Sequence, residues 1–281
     1  MSAVAAAAAL LLTGCGPDYV VLHPVGPVAK SELHVVEMAA VPMAAVFLFV
    51  VALFFIAVFR FRDRPGNTAP YTPEWEGSRR LEVVWFAIPI LIVGFIAVPT
   101  VRTTFALDRL PPARDPLMID VTSLDWKWLF QYPSARIATV DYLKVPTGRP
   151  LLFELTADSP MNTFWIPQLG GMEYTMPGRV LPLWLQVDRP GIYWGRSGNF
   201  SGVGFAQMQF RLQAVSPAAF TAWVAGVRGT DPPMSPADYR ELLKPAVVGD
   251  QTYAGYPAGS FPAQTHGFTL TGGMYTYPQT A

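Results

Sequence analysis

Ser197, Asn199, Ser201, Phe205 and Met208 stand in the stretch YWGRSGNFSGVGFAQM, from Tyr193 to Met208, at the spacing of a metal-binding loop. Two hydroxyls lie four residues apart with an amide midway between them; a ring follows four further on and a thioether three beyond that. Thiolates and imidazoles at such positions would hold a soft transition metal, whereas neutral hydroxyl oxygens bind one poorly. Here Met208 is the single soft donor. The rest of the chain offers no substitute, because its histidines are His23, His34 and His266 and its one cysteine, Cys15, lies far upstream. One cysteine also rules out an intrachain disulfide. A formal net charge of zero gives nucleic acid no footing.

The elements that must position this loop begin in a membrane. The opening MSAVAAAAALLLTGC is an apolar run ending in Leu-Thr-Gly-Cys, the pattern of a bacterial lipoprotein signal over residues 1–15 that would leave Cys15 lipidated; it is too short to span a bilayer and has no basic residue at its start. Two longer uncharged runs, Met38 to Phe59 and Val83 to Val101, predict a helical hairpin over residues 36–102. Arg60, Arg62, Arg64, Arg79 and Arg80 lie between them, against Lys30 alone between Cys15 and the first run. That asymmetry puts the basic loop in the cytoplasm and both ends outside. Ala39, Ala40, Ala44 and Ala45 would let a neighbouring helix approach closely.

After Val101 the pattern turns to short alternating runs broken by Pro and Gly. From Ala206, AQMQFRLQA sets Ala206, Met208, Phe210, Leu212 and Ala214 on one face of a strand, where Met208 suits a core; MIDV, WKWLF, LLFEL and LPLWLQV read as further strands. The sum predicts an antiparallel Greek-key sandwich over residues 117–215. In WKWLF, Trp126 and Trp128 fall on one face. Residues 216–281 form an arm: Ser-Pro pairs at Ser216 and Ser235 open two short helices, and the Tyr-, Pro- and Gly-rich tail from Asp250 reads as irregular. Its aromatics, including Tyr253, Tyr256, Phe261, Tyr275 and Tyr277, suit packing on the sandwich or on a partner.

The words RRLEVVWFAIPILIV, DWKWLFQYP, MNTFWIPQLGG, RPGIYWG and SGNFSGVGFAQM occur in this order over most of the chain, which resembles subunit II of the heme-copper respiratory oxidases. The resemblance implies two transmembrane α-helices followed by an all-β cupredoxin-like sandwich and a short helical arm. In the cytochrome c oxidases of that family the sandwich holds a dinuclear copper centre on two Cys, two His, a Met and a Glu carbonyl. Laid on this sequence, those ligand positions are Ser197 and Ser201, Asn162 and Phe205, Met208, and Asn199. The retained DWKW, ATV, MN.F.IP and SG.GF..M words and the arm are most similar to subunit II of the cytochrome bo-type ubiquinol oxidases, in which a lipoprotein signal is also expected.

That likeness implies a chain with no catalytic residue, metal or cofactor of its own. Hemes, copper and quinol would sit in subunit I, with subunits III and IV as further partners, and cytochrome c would not be the donor. The setting would be the bacterial inner membrane, with two spans, a periplasmic C-terminal domain and a lipid-anchored N-terminus. Within this class, a menaquinol oxidase would also lack the copper ligands. Glu82 matches a glutamate near the mouth of a proton pathway into subunit I, although a carboxylate at a helix N-terminus is also favoured by the dipole alone. A different reading is a free-standing periplasmic lipoprotein that binds a ligand or delivers copper. Met161, Met172, Met176 and Met208 are too dispersed to favour it.

Overall fold

Two long apolar runs and a set of short strands build two separate units, residues 31–107 and the remainder. The computed structural model describes residues 19–70, 74, 77–109, 115–158, 160–261, 269–271 and 274–276, so Cys15 and its signal lie outside the described residues, as does Tyr277.

The membrane unit is a pair of helices, α1 (Pro27–Arg60) and α2 (Arg79–Leu107), with Pro42 inside the first and Pro89 and Pro99 inside the second. Both are apolar on every side and their most apolar stretches are unburied within the chain. A helix is the form in which a spanning backbone satisfies its own polar groups, so such a surface is stable in lipid or against another apolar helix. An apolar cleft of about 280 Å³ lies between them, lined by Met43, Phe49, Val50, Trp85, Ile88 and Ile92 among others. Beyond α1, the Asn67 amide donates to the Arg60 and Arg62 carbonyls and closes the helix end.

The other unit is a sandwich. Its strands are β1 (Leu117–Leu124), β2 (Lys127–Tyr132), β3 (Ile137–Val140), β4 (Tyr142–Pro146), β5 (Pro150–Ala157), β6 (Asn162–Phe164), β7 (Glu173–Thr175), β8 (Leu181–Gln186), β9 (Gly191–Arg196), β10 (Gln209–Val215), β11 (Gln251–Tyr253), β12 (Thr269–Thr271) and β13 (Met274–Thr276). A six-stranded sheet in the order β11-β3-β2-β1-β5-β8 faces a three-stranded sheet, β4-β10-β9, and β6-β7 and β12-β13 form hairpins. The sheets are mixed rather than antiparallel: β1 runs parallel to β5 and β10 parallel to β4. Those pairs join strands separated by crossovers, which is how a Greek-key path brings distant segments side by side.

The core between the sheets is aromatic. Phe164 and Phe210 stack with centroids 5.0 Å apart, and Trp128 meets both edge-on at 5.5 Å. Phe130 and Phe153 close the cluster. Gly195 has to be glycine, since a Cβ there would sit 2.0 Å from the Phe210 ring.

The first turn of α1 is seated on this sandwich. The Val25 and Ala29 N–H groups donate to the Gln168 and Leu169 carbonyls, and Lys30 pairs with Asp188 at 2.8 Å. Gly26 lets the backbones touch, because a Cβ there would fall 2.0 Å from the Gln186 carbonyl oxygen.

Helices α3 (Pro217–Thr230) and α4 (Pro236–Leu242) are capped by Ser216 and Ser235, the latter in a reciprocal capping box with Asp238. The arm they open does not stay irregular after Asp250, because residues 251–253 pair with β3 and extend the larger sheet. Met234, Leu242, Tyr239, Tyr253 and Tyr256 cover the outer face of that sheet over Leu124, Leu129, Ala138 and Val140. Every residue of β2 is consequently buried.

Candidate functional site

Strand β9 ends at Arg196 and releases the loop 197–208, while β6 enters beside it. The strand-like pattern from Ala206 is interrupted: Phe205–Gln207 form a 3-10 turn, and β10 begins only at Gln209. The turn is hydrogen-bonded to itself, with the Met208 N–H donating to the Phe205 carbonyl at 3.0 Å. From Gln209 onward the alternation holds, with Phe210, Leu212 and Ala214 buried.

Three of the six ligand positions meet in one hydrogen-bonded group. Asn162 is fully buried; its Nδ2 donates to the Pro160 carbonyl at 2.9 Å, and its Oδ1 accepts from Ser197 Oγ at 3.0 Å. Ser197 Oγ in turn accepts from the Thr163 and Asn199 N–H groups at 3.4 and 3.3 Å. Thr163 Oγ1 donates to Asn199 Oδ1. Ser201 and Met208 form a second, looser contact, Oγ to Sδ at 4.0 Å, with Met208 1% exposed. Phe205 joins neither, its ring meeting Phe200 at 5.7 Å.

Trp126 and Trp128 do not share a face. Trp126 lies in the turn between β1 and β2 with φ +91°, so the strand period starts only at Lys127 and carries Trp128 alone into the core. The Trp126 indole instead clamps the loop: its Nε1 donates to the Ser201 carbonyl at 2.9 Å and its ring lies on Gly202 and Gly204. A Cβ on Gly204 would stand 2.4 Å from that ring, and Gly202 has φ +116°, so both positions require glycine.

The donor set does not suit copper. Amide and hydroxyl oxygens are hard donors, and those of Asn162 and Ser197 are turned toward each other and toward backbone N–H groups. None of the six positions carries a titratable side chain. The arrangement fixes the loop.

The titratable groups with displaced pKa values lie elsewhere on the sandwich. Burial pushes the Asp141 carboxyl up to about 7, against the Trp128 N–H bond and nearby Lys127 that pull it down and Asp250 that pushes it further up. Burial also lowers the Lys127 pKa, although Asp141 and Asp125 oppose it. Lys127 is wholly buried and donates to the Asp125 and Lys244 carbonyls at 2.7 and 2.8 Å, which pins the end of α4 to the sheet. Sequence reading passed over Thr163, Lys127 and Gln131, whose partners are many residues away. In the membrane unit Glu82 is exposed in the first turn of α2, its N–H bonded to the Ser78 carbonyl, and lines a groove with Gly77, Ser78, Arg79, Leu81 and Trp85.

Residues 26–103 match the family model "Cytochrome C oxidase subunit II, transmembrane domain" and residues 118–215 match "Cytochrome C oxidase subunit II, periplasmic domain". The chain is 41% identical over 250 residues to quinol oxidase subunit 2 of Bacillus cereus, covering 88% of this chain and 86% of the relative. It is 40% identical to quinol oxidase subunit 2 of Bacillus subtilis, covering 87% and 77%. To cytochrome bo(3) ubiquinol oxidase subunit 2 of Pseudomonas aeruginosa it is 37% identical, covering 88% and 75%. With two membrane-spanning helices, a periplasmic sandwich and likeness of this extent, the chain belongs to the quinol oxidase subunit 2 family: it is subunit II of a terminal oxidase, an oxidoreductase complex of several subunits.

Proposed function

We propose that this subunit carries no redox centre and serves its complex by structure, its helices packing on subunit I and its sandwich capping the periplasmic side. The observation that supports this is the closed hydrogen-bonded group of Asn162, Ser197 and Asn199 at three ligand positions. Hemes, copper and the quinol site belong on this reading to subunit I, with subunits III and IV as neighbours. Electrons then arrive from a lipid-soluble quinol, not from cytochrome c. In balance, two quinols give up four electrons and four protons, and one dioxygen becomes two waters. The complex containing this chain is expected to consume oxygen with a quinol and to stay idle with reduced cytochrome c. Turnover with the cytochrome, or the paramagnetic signal of a mixed-valence copper pair on this polypeptide, would overturn the reading.

The quinol on this proposal is ubiquinol, in keeping with the DWKW and SG.GF..M words. A second reading is menaquinol, since the relatives at 41% identity are named quinol oxidase with no quinol specified. Oxygen uptake with each quinol in turn separates them.

We further propose that the complex pumps protons, that Glu82 serves the mouth of the uptake path, and that Cys15 carries a lipid anchor in the inner membrane. The position of Glu82 in a groove at the start of α2 supports the second point. Glu82→Gln is expected to slow oxygen uptake severalfold at fixed heme content; unchanged uptake and pumping would retire it. Mass spectrometry of the mature N-terminus reads the lipid directly.

A further inference from the structure

The outer face of the larger sheet carries a polar row. In register across three neighbouring strands stand Gln131 of β2, Asp120 of β1 and Glu154 of β5, with Pro182 of β8 beside Glu154. Their chain neighbours Phe130, Ile119, Val121, Phe153 and Leu155 fill the core, so all three point outward, beneath the arm. Adjacent strands lie about 4.8 Å apart, which makes Asp120 and Glu154 immediate neighbours. The roof is the strap 254–261. Ser260, 3% exposed, accepts from Gln131 Nε2 at 2.6 Å and donates to the Pro257 carbonyl, while Tyr239 Oη donates to the Ser260 carbonyl at 3.0 Å.

One atom in this row is unsatisfied. Gln131 Oε1 is buried and finds no donor among the described residues. Its neighbour in register is Asp120, which as a carboxylate has no proton to give and as a carboxylic acid has one. Two ionised carboxyls side by side under a roof also repel, and a shared proton relieves that. We infer that Gln131, Asp120 and Glu154 form a proton-held clasp, which keeps the strap 254–261 closed on the sheet in acid and lets it open as the periplasm rises toward neutral pH.

Among the described residues, these titratable groups face the clasp. Glu154 comes from β5 and Tyr256 from the strap; Tyr239 of α4 reaches Ser260, and Arg136, in the turn after β2, acts on Tyr256. Burial, reinforced by Glu154, pushes the Asp120 carboxyl up to about 7 from an ordinary 3.8. Below the lower value the proton is present whether the strap is closed or open. Between the two values only the closed form holds it, so closure weakens as pH rises and its proton-linked part is gone above the higher value. One linked proton changes the opening equilibrium by at most about tenfold per pH unit.

Hydrogen exchange of the intact complex in mild detergent tests this. After correction for intrinsic rate, protection of the amides in residues 251–261 should fall by about tenfold to hundredfold between pH 5 and 7. Asp120→Asn, whose amide donates to Gln131 without titrating, should keep protection flat. Flat protection in the wild type, or an unchanged pH dependence in Asp120→Asn, overturns the clasp. Should that variant lose protection at every pH, Glu154→Gln decides: removing the neighbouring charge should move the fall to lower pH, and no movement overturns the proposal. Restoration of wild-type protection at pH 8 by calcium or manganese would also overturn it, since a cation and not a proton would then neutralise the row.

Discussion

Removing the hydroxyl of Ser197 tests how far hydrogen bonding by itself fixes the loop 197–208. Ser197 is 5% exposed and Asn162 is fully buried. Ser197→Ala deletes the 3.0 Å bond to Asn162 Oδ1 and two longer bonds from the Thr163 and Asn199 N–H groups. A good bond is worth about 1 kcal/mol net, and a buried acceptor left without a donor costs about 1–3 kcal/mol. The two long bonds add a fraction each, so the loss should come to about 2–3 kcal/mol. For a domain of roughly 150 residues that lowers Tm by about 2–4 °C per kcal/mol, or about 5–10 °C. Asn162→Ala should cost a similar amount, since it also deletes the bond to Pro160. Because the two side chains share one bond, the double variant should fall short of the sum by about 1 kcal/mol. The assay is thermal unfolding of the complex followed by near-ultraviolet dichroism. A Ser197→Ala protein within about 0.5 kcal/mol of wild type, or strict additivity with Asn162→Ala, would refute the argument.

Lys127→Met keeps the buried stem but leaves the Asp125 and Lys244 carbonyls without their donor. The end of α4 should loosen by about 1–3 kcal/mol, read as faster proteolysis after residue 244 with the sandwich intact. Asp141 adds a pH dependence of known sign. Its folded-state carboxyl is raised from 3.8 to about 7, so the stability it contributes is fully present below 3.8 and lost as pH rises through 7. Asp141→Asn, which suits φ +57° and keeps an acceptor for the Trp128 N–H, should flatten that part of the profile in denaturant titrations from pH 4 to 8.

Where a strand has one face in the core and the other open, its alternation is written in the sequence. In β10 the buried Phe210, Leu212 and Ala214 alternate with Gln209, Arg211 and Gln213. The helix starts are equally plain, because Ser216 and Ser235 cap through bonds made to residues three positions on. Strand β2 is the contrary case: the arm buries its second face, so Lys127 and Gln131 look like exposed polar residues and are not. Strand β11 is three residues long and gains its order from the free edge of β3, which no local pattern announces. The site divides along the same line. The identity of its six residues was legible, but the meeting of Asn162 with Ser197 depends on β6 lying beside the end of β9, and Thr163 carried no signal of its bond to Asn199.

A loop of this length keeps one shape only if something holds each of its parts. The start is held by Ser197 against Asn162 on β6. The middle is held by Trp126, whose ring occupies the space that Gly202 and Gly204 leave and whose N–H takes the Ser201 carbonyl. The end is held by Met208 in the core and by Phe210 stacked on Phe164, which joins β10 to β6 across the same gap. These ties come from β6 and from the turn between β1 and β2, and none requires a charge. Ring packing of this kind is worth about 0.5–1.5 kcal/mol per pair beyond the area it buries, so several such pairs make the loop a fixed part of the sandwich. Substitutions at the six ligand positions should accordingly be felt first in how long the folded complex survives, and in its turnover only after the domain has begun to unfold.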